Sequence, residues 1–176
     1  MAPLTRTIFD GPSNMAAWEE KLIGTAPDRA IAEQVRRALE RLFLKDADLF
    51  EFDVNERSIT HRLAIYLDEE FRDWNVDCEY NRNGHEPKTL QLNPETIESD
   101  DEKGTTVYPD IIVHKRGKPR NHLAIEIKKH NGGSGDKDLK KLRALRNELG
   151  YSFALFLRLR TEAANPDVVE LRWVVD

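Results

Sequence analysis

The sequence predicts an α/β fold: a central mixed sheet of about five strands flanked by helices, with an additional helix at the N-terminus. Three observations carry this. Asp28 to Leu44 and Glu56 to Arg72 repeat apolar residues at helical spacing. Val107 to His114 and His122 to Lys128 are short runs rich in β-branched residues, joined by a turn containing Gly117 and Pro119. Tyr151 to Leu159 is apolar almost without a break, the mark of a strand covered on both faces of a sheet.

Taken in order, residues 1 to 27 are a weakly patterned lead-in broken at Gly11-Pro12, with Met15, Trp18, Leu22 and Ile23 able to form one apolar helical stripe. In the first long helix Ile31, Val35, Ala38, Leu39, Leu42 and Phe43 follow the helical period, and Pro27-Asp28 is a start signal. In the second, Ile59, Leu63, Tyr66 or Leu67, and Phe71 form the buried stripe. Asn75 to Arg82 alternates as a first strand, with Val76, Cys78 and Tyr80 against Asp77 and Glu79. The polar connection from Asn83 to Thr106 has the composition of a flap or a disordered loop. After the hairpin, His130 to Gly135 reads as a flexible hinge. Asp136 to Leu149 is a helix with Leu139, Leu142, Leu145 and Leu149 inward, ended by Gly150. Its Lys137, Lys140, Lys141, Arg143 and Arg146 are expected to face outward. Val168 to Asp176 alternates as an edge strand, placing Val169, Leu171, Trp173 and Val175 on one face. Residues 1–54 are thus expected to be a helical extension packed on a core of residues 55–176.

A chain of 176 residues, 39% hydrophobic and 34% charged, is one domain with a real core. Its single cysteine, Cys78, excludes a disulfide framework or a Cys-based zinc cluster and reads as a buried structural thiol. No apolar stretch approaches a membrane span and no signal-peptide pattern opens the chain, so a cytoplasmic protein with no membrane partner is expected. A net charge of −5 argues against coating nucleic acid by bulk attraction. Yet residues 115 to 129 hold six Lys/Arg and one acid, while residues 95 to 102 hold five acids and no base. The basic stretch fits a phosphate-facing surface or a solvated turn.

The hairpin concentrates the chemistry. Strand alternation gives Ile111, Val113, Leu123, Ile125 and Ile127 one dry face. The other face carries Asp110, Ile112 and His114 against His122, Ala124, Glu126 and Lys128. Pairing His114 with His122 sets Asp110 opposite Glu126. Like charges at that position, with Cβ atoms roughly 4.5–5.5 Å apart, destabilise a sheet. A divalent cation between the two carboxylates, beside Lys128, explains them best.

Pro109-Asp110, fifteen intervening residues and then Glu126-Ile127-Lys128 resemble the signature of the PD-(D/E)xK nuclease superfamily, with its restriction-endonuclease-like fold. More narrowly, PDIIVHKRG…NHLAIEIKK is similar to a recurring group of short bacterial members. The order of acidic helix, PD strand, ExK strand and crossover helix extends the resemblance over roughly residues 55 to 175. It implies that Glu56, on the helix before the sheet, reaches the metal centre. The residues themselves leave an alternative for Glu56, a capping box with Asp53 as N-cap.

The resemblance implies a metal-dependent endo- or exonuclease acting on nucleic acid, DNA in the first instance. Asp110, Glu126, Glu56 and the Ile127 carbonyl are hard oxygen ligands suited to Mg²⁺ or Mn²⁺. Lys128 then orients or deprotonates the attacking water and opposes charge building on the phosphoryl oxygens. His114, Arg116 and Asn121 in and beside the turn, with Lys140, Lys141 and Arg143 on the following helix, are the candidate contacts to nucleic acid. A homodimer that cuts both strands is compatible with this reading. The alternative is a catalytically silent module that keeps the fold to bind nucleic acid or a protein partner. Neither a GxSxG elbow nor a GxxxxGK[ST] loop is present.

Overall fold

The computed structural model describes residues 15–83, 86–87, 89–90, 105–162 and 165–175. The break at Gly11-Pro12 and most of the polar connection before Val107 lie outside the described residues. The helices are α1 (Ala17–Gly24), α2 (Arg29–Lys45), α3 (Ala47–Glu51), α4 (Glu56–Glu70) and α5 (Asp136–Leu149). The strands are β1 (Asn75–Cys78), β2 (Arg82–Asn83), β3 (Glu86–Pro87), β4 (Thr89–Leu90), β5 (Thr105–Thr106), β6 (Ile111–Lys115), β7 (Arg120–Lys129), β8 (Phe153–Arg160) and β9 (Asp167–Trp173). The main sheet is mixed and five-stranded, in the order β1-β6-β7-β8-β9. β7 and β8 are parallel, joined by the α5 crossover, and the other neighbours are antiparallel. β2–β3 and β4–β5 form two small separate pairs.

Side-chain alternation divides the core into two layers. Ile111, Val113, Leu123, Ile125, Ile127, Leu155 and Leu157 pack against the buried stripes of α1, α2 and α4. Ile112, Ala124, Ala154 and Phe156 pack against Leu139, Leu142 and Leu145 of α5. β8, covered on both sides, is the continuous apolar run. The N-terminal helices share this core: the Trp173 indole donates to the Leu22 carbonyl at 3.0 Å. Asp28 caps α2, its carboxylate accepting from the Ala30 and Ile31 amides at 2.8 and 3.1 Å. Such a cap contributes about 1 kcal/mol. No described helix is long and apolar enough to cross a membrane.

Several local expectations are corrected. β6 begins at Ile111 and not at Val107, and β1 ends at Cys78, where Glu79 takes a positive φ of 48°. In the hairpin, Ile112 pairs with Ala124 as expected, but His114 pairs with Asn121 and not His122. A bulge after Val113 makes His122 the extra residue, and a bulge re-aims side chains. His122 therefore joins the opposite layer, stacked on Trp74 at 4.4 Å and edge-on to Phe71 and Phe153. Burial pushes its pKa down. A second irregularity, between Arg158 and Leu159, brings Val168 inward opposite Leu159 and leaves Val169 exposed.

The stretch read as a flexible hinge is pinned. The Arg158 guanidinium donates to the carbonyls of Lys129, Gly132 and Gly133 at 3.3, 3.2 and 2.9 Å and pairs with Glu170 at 3.0 Å. Gly135 turns the chain into α5 with φ +82°, and a Cβ there would meet the Phe156 ring at 2.7 Å. These contacts fix where α5 lies over the sheet.

Candidate functional site

β7 runs past the start of β6. Ile125 is opposite Ile111, the first residue of β6, so the amides of Ile127 and Lys129 on that side find no strand partner. A buried amide left without an acceptor is costly. Two carboxylates supply the acceptors: Asp110 Oδ2 takes the Ile127 N–H at 2.7 Å, and Glu56 Oε2 takes the Lys129 N–H at 3.0 Å. Because the amides are two residues apart, these carboxylates are spaced along the β7 edge by about 6.6 Å. A strand residue directs its N–H and C=O to the same side, so the Ile127 carbonyl also faces the Asp110 edge.

Glu56 is free for this because α4 is capped elsewhere. Asn55, not Asp53, is the N-cap, its side chain accepting from the Ser58 amide at 2.9 Å. Asp53 instead pairs with Lys129 Nζ at 2.5 Å. The capping box is thus replaced by a bridge from α4 to β7.

Glu126 faces α5 and is 1% exposed. Its Oε1 lies 3.4 Å from the Asp110 amide nitrogen, and its Oε2 lies 2.6 Å from Lys141 Nζ. Burial and the neighbouring Asp110 push the Glu126 carboxyl well above the usual range, against the pull of Lys141. Burial also raises Asp110, opposed by the Ile127 amide and Lys141. Lys141 loses solvent, which disfavours its charge, but Glu126 and Asp110 outweigh that and raise its pKa. Lys128 pairs with Asp138 of α5 at 2.8 Å, which outweighs its own burial in the same way. Six side chains therefore meet at one end of β7: Asp110, Glu126, Glu56 and Asp138 against Lys128 and Lys141.

Asp138 and Lys141 mark what the sequence reading missed. Lys141 is turned inward and belongs to no outer basic face. Arg146 also turns in, donating to the Val174 carbonyl at 2.7 Å. Lys137, Lys140 and Arg143 are exposed. The helical wheel held the signal: Asp138 precedes Leu142 and Leu145 by four and seven residues, and Lys141 precedes Leu145 by four, so both fall within the buried stripe.

The residues read as phosphate contacts near the turn are taken up by the fold. His114 is 2% exposed, with Nε2 2.8 Å from Asp77 Oδ2 and its ring 4.7 Å from that of Tyr80. Arg116 pairs with the same Asp77 through its Nε and Nη2 edge but remains half exposed. Asp77 is half-buried, and burial alone would raise its carboxyl, yet Arg116 and His114 hold it below the usual range. Asn121 is buried and donates to the Leu149 carbonyl at 2.7 Å.

A cavity of about 420 Å³ opens on Asp110 and Glu56, lined also by Arg57, Thr60, His61, Cys78 and Glu79. A wider groove of about 760 Å³ along α4 and edge strand β1 shares His61 and Cys78 with it and reaches Arg116. Burial, then Asp110, pushes the Cys78 thiol up to about 11, so it is a poor nucleophile at neutral pH.

Among the described residues, no group of three or more His, Cys, Asp or Glu side chains is arranged to hold a metal ion. Two carboxylates do converge. Mg²⁺ is commonly held by one or two carboxylates, with water and substrate oxygens completing its shell. Asp110 and Glu126, with the Ile127 carbonyl beside them, fit that donor set, and Lys141 already places a cationic group against it. No family model matches the chain, nor does any curated protein or solved structure.

Proposed function

We propose that the chain is a metal-dependent nuclease of the PD-(D/E)xK type, with a restriction-endonuclease-like core, that hydrolyses phosphodiester bonds, with DNA as the first substrate to test. The observation that carries this reading is the junction of Asp110, Glu126 and Lys128 at one end of β7, with Glu56 bridged to the same edge from α4. Asp110 and Glu126 would hold Mg²⁺ or Mn²⁺. A bound divalent ion supplies charge neutralisation at phosphorus and lowers the pKa of water. Asp110 is kept in one rotamer by the Ile127 amide, so its carboxylate is pre-positioned. Lys128, once released from Asp138, orients the attacking water and opposes charge on the phosphoryl oxygens. Lys137, Lys140 and Arg143 on the exposed side of α5 offer phosphate contacts that position a strand without reading its sequence.

A second reading draws on the ion pair between Glu126 and Lys141. A site whose key carboxylate is neutralised by the protein's own ammonium also suits a catalytically silent module that binds nucleic acid or a protein. Incubating plasmid and single-stranded DNA with the protein in Mg²⁺, Mn²⁺ and EDTA separates the two. Cleavage that needs metal and is lost in Lys128→Ala, with metal binding kept, supports the enzyme. Equal single-turnover cleavage by wild type and Lys128→Ala refutes the assignment of Lys128. No cleavage of any substrate in either metal favours the silent module.

A further inference from the structure

α5 brings two opposite charges to the sheet within one helical turn, and each is already engaged. Lys141 Nζ lies 2.6 Å from Glu126 Oε2 and 3.4 Å from the Tyr108 carbonyl, with its side chain 19% exposed and that of Glu126 2% exposed. Asp138 Oδ2 lies 2.8 Å from Lys128 Nζ. α5 has little freedom to carry these groups away. Leu139, Leu142 and Leu145 are buried in the core, and Gly135 is locked between the Phe156 ring and the Arg158 guanidinium. The side chains, and not the helix, must therefore rearrange.

We propose that Lys141 is a built-in competitor of the divalent cation: its ammonium holds Glu126 in the metal-free chain and must give it up before that carboxylate can ligate metal. Residues three apart on a helix are neighbours, so the displaced Lys141 has Asp138 as its nearest new partner. Lys141 and Lys128 then compete for one carboxylate, and Lys128 is freed toward the attacking water. Loading of the site and release of Lys128 thereby become one event. A chain that has met too little metal keeps both Glu126 and Lys128 occupied. The inference rests on the nuclease reading for the role of Lys128, but its core, competition at Glu126, concerns metal binding alone.

The test is Mn²⁺ affinity, measured by calorimetry and by the electron paramagnetic resonance signal of the free ion, at fixed pH and ionic strength. Lys141→Ala and Lys141→Gln remove both the competing ion pair and the repulsion of a nearby ammonium. Both should bind Mn²⁺ more tightly than wild type, on the order of tenfold, the equivalent of losing one charge-assisted hydrogen bond from the competing state. Lys141→Arg, whose planar guanidinium can grip a carboxylate with two donors, should bind it no better than wild type. The Gln and Arg variants decide the matter even where the Ala variant fails to fold. Unchanged or weaker affinity in Lys141→Gln overturns the proposal, as does the absence of Mn²⁺ binding by every form. Tighter binding by Lys141→Gln in a protein that cleaves no nucleic acid would uphold the competition and sink the nuclease reading. Metal-dependent cleavage with no gain in affinity would do the reverse.

Discussion

Replacing Asp110 by Asn separates a metal ligand from a structural acceptor. Among the described residues the wild-type carboxylate accepts one hydrogen bond, from the Ile127 N–H at 2.7 Å, and the amide oxygen of Asn can accept the same bond. What the substitution removes is charge. Asp110 lies one residue before the Ile111–Ile125 pair, with Glu126 Oε1 3.4 Å from its amide nitrogen, and relieving like charges at such adjoining positions contributes about 0.2–1 kcal/mol. In EDTA, Asp110→Asn should therefore equal or slightly exceed wild type. An ion that binds the folded state alone adds about 2.7 kcal/mol at a hundred times its dissociation constant. In saturating Mn²⁺ the wild type should gain that amount and the variant forfeit most of it, which leaves the variant behind by about 2 kcal/mol. Urea denaturation followed by tryptophan fluorescence reads all four states, and with a slope of about 1–3 kcal/mol per molar urea the reversal is a midpoint shift on the order of 1 M. The same metal-induced gain in both proteins would mean that Asp110 is not a ligand. A variant much less stable in EDTA would mean that the Ile127 amide needs a charged acceptor, a structural role worth up to about 3 kcal/mol.

Gly135→Ala should destabilise the metal-free chain by about 2–4 kcal/mol in urea, from the positive φ and the 2.7 Å approach to Phe156; a loss under about 1 kcal/mol would show that this turn does not fix α5. The folded pKa values of Asp110 and Glu126 lie above the ordinary carboxylate range, so the native chain holds protons that the unfolded chain has released. Their contribution to metal-free stability is fullest below about pH 4 and declines as pH rises from there toward their folded pKa values. Asp77, held low by Arg116 and His114 against its burial, acts in the opposite sense, its contribution being lost as pH falls through its folded pKa. Glu126→Gln should flatten the decline, and an unchanged slope of urea midpoint against pH in EDTA would refute it. Neutralising Lys137, Lys140 and Arg143 together should weaken nucleic-acid binding and reduce the salt slope by about 0.9 for each duplex phosphate that is no longer neutralised; an unchanged slope would make them a solvated face.

The layer structure was legible because it depends on periodicity. Ile111, Val113, Leu123, Ile125 and Ile127 share a face by alternation alone, and the stripes of α2, α4 and α5 follow from helical spacing. Local irregularities escaped because they are settled by tertiary contacts. Nothing in His122 announces a bulge, but Trp74, Phe71 and Phe153 surround it once the sheet is formed. The glycines after His130 read as freedom, yet their carbonyls are what Arg158, far along the chain, binds. At the candidate site, the closeness of Asp110 to Glu126 was legible because the hairpin is local, although Asp110 lies just before β6 and outside its ladder. The partners Asp138 and Lys141 could not be matched to Lys128 and Glu126 without knowing where α5 crosses β7. Their positions in the buried stripe were visible, but long charged residues there are easily assigned outward by their type.

The overhang of β7 explains why carboxylates gather at this end of the sheet. A strand that outruns its neighbour exposes amides on one side only, and acceptors of fixed position are the simplest way to satisfy them. Asp110 and Glu56 do so for Ile127 and Lys129, and each is held by the backbone bond it accepts. The same overhang leaves the Ile127 carbonyl facing that edge, so the oxygens that the proposal assigns to a cation there follow from an unfinished ladder. Acids brought together in this way repel, and burial raises the cost of charge on both Asp110 and Glu126. Helix α5 supplies the compensation through Lys141, and places Asp138 beside Lys128 in the same turn. The arrangement is thus stable for reasons of backbone pairing and charge balance. Under the proposed nuclease reading, exchanging one ammonium for a divalent ion is the smallest change that would make it chemically active.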